Sequence, residues 1–341
     1  MNFTILLTEK CNLQCTYCYE QDFTTRKKMD HFTMTKVAEF IFEQVKKRKP
    51  SYLGITLLGG EPLLNLDGVK YFLNRFKQEQ STGLLTLFRM TTNGTILNED
   101  VLEVLPSIDF LSVSIDGDKA VHDTNRIYPD RKGSFDTVIN NIDKVLYIKP
   151  NAAARMTITK KNVSQLFENI SFLIDCGFHN ILPNIDFTNR DWEDSDVEIY
   201  LNQMKRVSKL IESKKEQSSS IEIPIFSYLK RKRRNDKCDG GKDSFAISAS
   251  GDIYPCSVIM NMEEWKIGNV FQGLDSSSLE RLEDISKTDT TSCVGCSRYE
   301  YCNGPRCKLI NYKYTGHYDK PLDAFCVYEN LGYQLGKEQN N

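Results

Sequence analysis

No stretch of this 341-residue chain approaches the roughly 18 uninterrupted apolar residues that a bilayer-spanning helix needs. A helical membrane protein is therefore excluded. An excess of one charge is also missing, since 44 Lys and Arg face 46 Asp and Glu, a formal net charge of −2. Without a global field the chain has no general attraction for nucleic acid or an anionic membrane, and neither is expected as a partner. The opening residues, Met1-Asn2-Phe3-Thr4-Ile5, lack the basic stretch and long apolar core of a secretory signal. A cytoplasmic location is expected. Internal repeats and low-complexity segments are absent as well. What remains, 40% hydrophobic, 11% aromatic and 26% charged, is ordinary globular composition. Its length suits about two domains.

Cysteine is the exception, with eleven in the chain. In a reducing compartment a disulfide framework is the wrong default. Metal or cluster ligation, redox catalysis and burial as small hydrophobes remain, and position decides among them. Cys11, Cys15 and Cys18 fall together, seven more lie between Cys238 and Cys326, and only Cys176 sits in the long middle stretch. Cys176 closes an apolar helical run (Phe172, Leu173, Ile174) and is expected to be a buried structural thiol.

The first half of the chain alternates β-rich runs with amphipathic ones. Residues 3–8, 55–58, 85–92, 110–115, 156–159 and 181–187 read as strands. Residues 33–47, 68–76, 99–105, 135–148 and 163–176 read as helices between them. Such alternation argues for parallel βα units. Six units are too few for a closed eight-stranded barrel, so the expected class is α/β, a partial (β/α)6 barrel with its site at the C-terminal ends of the strands. Residues 197–213 continue as a helix, Ser218-Ser219-Ser220 breaks the pattern, and a basic run follows, Lys230-Arg231-Lys232-Arg233-Arg234. That run reads as a solvated surface or as an attractor for an acidic peptide. Expected boundaries are 1–190 for the barrel, 191–237 for a helical bridge and 238–341 for a loop-rich tail. A tail with so little core would need staples, and iron–sulfur clusters could supply them.

Cys11-Asn12-Leu13-Gln14-Cys15-Thr16-Tyr17-Cys18 is C-x3-C-x2-C in the loop after the first strand. Three thiolates there can hold three irons of a four-iron cluster and leave the fourth open to a small molecule. Structural zinc normally takes four protein ligands, and the nearest further candidate, His31, is thirteen residues on.

With its C-x3-C-x-aromatic-C loop, the chain resembles the radical S-adenosylmethionine (SAM) superfamily. The resemblance implies a [4Fe-4S] cluster on Cys11, Cys15 and Cys18. Its open iron would bind the amino and carboxylate groups of SAM, and reductive cleavage would release a 5′-deoxyadenosyl radical that takes a substrate hydrogen. Gly59-Gly60-Glu61-Pro62 after the second strand resembles the motif that receives the SAM amino group. Ser114-Ile115-Asp116-Gly117 and the stretch from His122 to Arg126 resemble SAM-contacting segments of the anaerobic sulfatase-maturase branch. Tyr17, Gly59, Gly60, Glu61, Ser114 and Arg126 are the implied SAM contacts. Asn93-Gly94 reads as a turn. Arg155 is open between facing the site and pairing with a carboxylate, and Ile185 or Phe187 between adenine packing and the core.

The tail is similar to the SPASM extension of peptide-modifying radical SAM enzymes, with its G-x4-C and C-x2-C-x5-C spacings. Carried over, that pattern gives Cys238, Cys256 and Cys307 to auxiliary cluster I and Cys293, Cys296, Cys302 and Cys326 to auxiliary cluster II, three [4Fe-4S] clusters in all. Two departures stand out. The last cysteine pair is spaced x4 rather than x3, and the thiol that many members carry just before the position of Cys238 is missing from Arg234-Asn235-Asp236-Lys237. Auxiliary cluster I is therefore expected to keep an open or substrate-ligated iron, unless an oxygen ligand such as Asp236 or Asp239 closes it. A zinc-ribbon-like module is the bland alternative for the tail.

Sulfatase maturases of this family carry an Asp base directly after the cysteine of G-x4-C. Here Ser257 stands in that place, which disfavours formylglycine formation. The expected function is maturation of a ribosomally made precursor peptide, with a thioether or carbon–carbon cross-link. Formylglycine formation and a small-molecule radical SAM reaction are the alternatives. The implied partners are the precursor and an electron donor such as flavodoxin or ferredoxin. Because the cluster loop begins at residue 11, leader binding is expected from a separate protein, the tail or the cleft itself.

Overall fold

The computed structural model describes residues 1–18, 26–77, 83–186, 192–215, 221–230, 238–260 and 262–338. In chain order the elements are β1 (Asn2–Leu6), α1 (His31–Arg48), β2 (Tyr52–Leu58), α2 (Leu66–Lys77), β3 (Leu85–Thr92), α3 (Glu99–Val104) and β4 (Phe110–Ser114). Next come α4 (Lys119–Asn125), α5 (Phe135–Ile148), β5 (Ala153–Ile158), α6 (Leu166–Asp175), β6 (Asn180–Ile185) and α7 (Asp194–Lys215). Strands β7 (Ser244–Ile247), β8 (Asp252–Tyr254), β9 (Gly268–Asn269) and β10 (Gly273–Leu274) follow, with helices α8 (Ser276–Ser286), α9 (Lys308–Thr315) and α10 (Asp323–Glu338). The class is α/β with mostly parallel strands, and the chain forms two compact units.

The first unit comprises Met1–Gln14, Cys18–Leu111 and Asp239–Lys287. Strands β7, β1, β2 and β3 run parallel, and β8, β9 and β10 continue antiparallel from β7. Phe3, Ile5 and Leu6 of β1 are fully buried, as befits a parallel strand covered on both faces. Phe3 stacks on Phe245 of β7 at 5.3 Å and meets Phe40 of α1 edge-on. Helix α1 begins where the Asp30 carboxylate accepts from Thr33 N at 2.7 Å, an N-cap worth about 1 kcal/mol. It buries Met34, Val37, Ala38 and Ile41. The stretch after Cys238, expected to open a loop-rich tail, thus prolongs the sheet of β1.

The second unit comprises Cys15–Tyr17, Ser112–Cys238 and Thr288–Asn341. Residues 112–114 of β4 pair in parallel with β5, and β5 with β6. Helix α6 buries Leu166, Ile170, Leu173 and Ile174. Cys176, expected in the core, caps this helix only half-buried, because the chain has already turned toward solvent at Asp175. The tail also proves more regular than its composition predicts. Helix α10 lies against the 3-10 segment Pro224–Lys230, and a Cβ on Gly332 would sit 2.6 Å from the Tyr228 ring. Glycine is needed there for the two to touch.

Candidate active site

In the first unit the chain leaves β1 and passes beneath the turn that ends β2. Gly60 N donates to Thr8 O and Glu61 N to Lys10 O, both at 2.9 Å. A Cβ on Gly60 would lie 2.5 Å from Lys10 O and 2.9 Å from Cys11 N, and one on Gly59 3.0 Å from Thr8 O. Only glycine permits so close an approach, and it sets the first cysteine against the β2 turn. Glu61 is 1% exposed. Its carboxylate accepts from Leu63 N (3.1 Å), Thr92 Oγ1 (2.8 Å) and Asn93 N (2.7 Å), while burial pushes its pKa up to about 7. The carboxylate implied to meet SAM thus ties the β2 turn to the end of β3.

Asn93 does more than turn the chain. Its side-chain Nδ2 donates to Asn12 Oδ1 at 2.8 Å and approaches Cys11 Sγ at 3.8 Å, while its Oδ1 accepts from Thr95 N at 3.0 Å. Leu13 N also donates to Cys11 Sγ, at 3.4 Å. Burial pushes the Cys11 thiol up to about 11, so an unligated Cys11 stays protonated. The only sequence signal for Asn93 was its place at the C-terminal end of a parallel strand, where such folds gather their sites.

In the second unit Ser114 ends β4, 8% exposed, and two residues later Asp116 is fully buried. Asp116 accepts from Arg126 Nη2 at 3.0 Å, from Thr157 N at 2.8 Å and from the Tyr17 hydroxyl. The Arg126 guanidinium also lies 5.3 Å from the Tyr17 ring centroid. Burial opposes the Arg126 charge, but Asp116, Tyr17 and Cys15 outweigh it and hold the guanidinium firmly protonated. Its Nε is buried and, among the described residues, has no hydrogen-bond partner. Burial raises the Tyr17 phenol well above its ordinary range. Thr16 N and its hydroxyl bind Asn125 O (3.0 Å) and Oδ1 (2.6 Å), anchoring the Cys15–Tyr17 segment. Sequence reading names Tyr17 and Arg126 but misses Asp116, which joins them.

A second group of thiols also lies in this unit. Cys293, Cys296, Cys302 and Cys326 interact electrostatically with one another. Burial raises Cys293 and Cys326 and pushes Cys302 up to about 12. Gly304 N donates to Cys302 Sγ at 3.2 Å. Among the described residues no disulfide joins any of the cysteines. Thiols such as Cys11 and Cys302, with backbone donors aimed at sulfur, fit cluster ligation, in which the metal draws off the proton. Among the described residues no three His, Cys, Asp or Glu side chains gather as a single metal ion would require. A four-iron cluster spreads its ligands one to an iron.

Cys256 follows β8 and precedes the short turn Ser257–Ile259 in the first unit, whereas Cys238 and Cys307 belong to the second. All three are half-buried. Asp239 and Arg155 are exposed, and Ile185 is core at 3% exposure. Phe187, residues 231–234 of the basic run and Asp236 lie outside the described residues.

Comparison with known proteins follows the same lines. A family model described as a 4Fe-4S single cluster domain matches residues 3–140. A cysteine-type anaerobic sulfatase-maturating enzyme of Clostridium novyi is 27% identical over 317 residues, spanning 86% of this chain and 84% of its own. The solved structure of native anSMEcpe with bound AdoMet and Cp18Cys peptide aligns with a TM-score of 0.79 at 17% identity, covering 99% of this chain and 97% of that one. Streptococcus suis SuiB bound to precursor peptide SuiA aligns with a TM-score of 0.66 at 16% identity, covering 95% and 75%. At such identities these two structures establish likeness of fold.

Proposed function

Because the chain belongs to the radical SAM enzymes, we propose that it matures a ribosomally made precursor peptide by joining two of its side chains through a thioether or carbon–carbon bond. The observation that supports this reading is a second group of thiols, Cys293, Cys296, Cys302 and Cys326, within electrostatic reach of one another, in addition to the C-x3-C-x2-C loop. A cross-link removes two hydrogens, and one radical abstraction accounts for only one of them. The other leaves as a proton and an electron, and a cluster held by these thiols would give that electron somewhere to go. The likeness to SuiB, solved with a precursor peptide, points the same way.

On this reading the βα units form a partial (β/α)6 barrel within residues 1–190, 191–237 form a bridge, and 238–341 form a SPASM domain. Cys11, Cys15 and Cys18 hold the first cluster, Cys238, Cys256 and Cys307 auxiliary cluster I, and Cys293, Cys296, Cys302 and Cys326 auxiliary cluster II. Bound together there, the first cluster and SAM would supply hydrogen-abstracting radical chemistry. The chain's own residues position and shield. Gly59 and Gly60 let the β2 turn lie against the Cys11 loop, and Glu61 braces that turn. Ser114, Tyr17 and Arg126 face the cofactor, with the Arg126 Nε, unpartnered among the described residues, as a donor held ready for it. Flavodoxin or ferredoxin supplies electrons, and the enzyme works in the cytoplasm.

Formylglycine formation is the second reading, favoured by the likeness to the Clostridium novyi enzyme. Against it stands Ser257, whose hydroxyl is a poor base at neutral pH. Anaerobic co-expression with short peptides encoded beside the gene, followed by mass spectrometry, tests both. Loss of two hydrogens per cross-link is expected. Unchanged peptides, with oxidation of a sulfatase-derived Cys peptide instead, would move the function to the second reading.

A further inference from the structure

Lys308, the first residue of α9, is 2% exposed. Its ammonium donates to the hydroxyl of Thr290, which passes its own hydrogen to Pro305 O at 3.1 Å. Among the described residues no carboxylate lies within ion-pair distance of Lys308. Asp289 and Asp319 act on it only from beyond ion-pair distance. A buried ammonium whose one partner is a neutral hydroxyl is a costly arrangement. The same Thr290 accepts Cys293 N at its carbonyl oxygen at 3.0 Å, so the ammonium is held on the turn that carries Cys293. Neutral thiols cannot offset the charge. Four thiolates around an iron–sulfur core can, because that assembly is net negative and gains one more negative charge on reduction. A second buried cation, Arg306, donates from Nη1 to Tyr299 O at 2.9 Å and to Cys302 O, so that nitrogen is engaged by the loop that carries the cysteines.

We propose that Lys308 is the buried counter-charge of the cluster held by Cys293, Cys296, Cys302 and Cys326, and that it raises the reduction potential of that cluster. The inference rests on that ligand set, part of the function proposed above. A fixed positive charge stabilises the reduced, more negative form more than the oxidised one. Lys308 is thus a positioning and tuning residue, not a ligand. Although Cys307 is its neighbour in sequence, its ammonium is tied through Thr290 to the turn that carries Cys293.

The test uses the full chain, reconstituted anaerobically, with Cys11, Cys15 and Cys18 replaced by Ala to remove the overlapping signal of the first cluster. Potentials are read by titration followed by electron paramagnetic resonance. Lys308→Met should lower one midpoint by at least a tenfold change in the reduction equilibrium, 59 mV for one electron, and Lys308→Arg should restore most of it. If the Met variant does not fold, Lys308→Gln carries the titration. Thermal unfolding gives a crossed signature. Lys308→Met should leave iron-free protein unchanged or more stable, since an unpaired buried charge is removed, and should destabilise the loaded protein. An unchanged potential at full iron content, or equal destabilisation of both forms, overturns the role of Lys308 alone. Full iron retention after replacing Cys293, Cys296, Cys302 and Cys326 with Ala overturns the ligand set, and the inference with it.

Discussion

Arg126 Nη2 lies 3.0 Å from Asp116 Oδ1 in an ion pair that is almost sealed from water, with Arg126 7% and Asp116 0% exposed. Such a pair is weak evidence of net stabilisation, because both charges lose their hydration. Its asymmetry is informative. Asp116 also receives Thr157 N and the Tyr17 hydroxyl, so one carboxylate joins the cysteine loop, the end of β4 and strand β5.

Breaking that pair should be more costly from the acid side. Asp116→Ala strands a buried guanidinium, a backbone N–H and a phenol, for a loss in the range of about 3–5 kcal/mol. Arg126→Met leaves a carboxylate that keeps two donors and should cost less. The double variant should lose less than the sum of the singles, as expected for groups in contact. Urea unfolding of the four proteins measures the cycle, and strict additivity would refute the coupling.

Replacing Cys11, Cys15 and Cys18 together with Ala should abolish 5′-deoxyadenosine formation and take about 12 irons per chain to about 8, on four irons per cluster. Iron analysis after anaerobic reconstitution and chromatography of the SAM products are the readouts. SAM cleavage surviving in this variant would remove the loop from the mechanism.

The βα half of the fold was legible because its signals are local. Strand β3 and helix α5 match their sequence-read bounds at both ends, since apolar periods of 2.0 and 3.6 residues need no knowledge of distant partners. The C-x3-C-x2-C and Gly-Gly-Glu-Pro segments are local in the same sense. Asp116 was not legible, because its importance lies in partners 99, 10 and 41 positions away. Nor was α10. Its stripe is broken by Gly332 and Gly336, and glycine normally costs a helix about 1 kcal/mol. Only Tyr228 and Leu229, pressed against those two positions, explain them. Strand β7 was hidden for a similar reason, as four residues become a strand by pairing with β1 across more than 200 positions.

The two glycines of the β2 turn should respond unequally to the same substitution. At Gly60 a methyl would meet backbone atoms of Lys10 and Cys11 at 2.5–2.9 Å, whereas at Gly59 its nearest neighbour is 3.0 Å away. Forcing atoms into such a space costs about 1–3 kcal/mol. Gly60→Ala should lower the thermal midpoint and the iron held by the Cys11 loop, and Gly59→Ala should do so more mildly. The reverse order would mean that the contact with the first cysteine is not what the second glycine serves.

His122 gives the enzyme a defined weakness in acid. The ring is fully buried, with Nε2 2.9 Å from Ser134 Oγ. Ser134 donates its own hydrogen to Arg126 O at 2.8 Å, so Nε2 must be the donor and Nδ1 carries the lone pair. Nδ1 is buried and has no hydrogen-bond partner among the described residues. A second proton there would find no acceptor and would face the Arg126 cation, with Asp116 offsetting only in part. Burial and Arg126 accordingly lower the pKa from 6.5 to about 4. Between those two values the unfolded chain binds the proton and the folded chain does not. Stability from this residue is therefore complete above pH 6.5 and lost as the pH falls toward 4. The loss at pH 5 is about 2 kcal/mol. His122→Gln removes the titration, so its unfolding midpoint should fall less than that of the parent between pH 7 and pH 5, whatever its starting value. Parallel pH profiles for the two proteins would show that His122 is protonated in the fold or exchanges with solvent, and would refute the buried neutral ring.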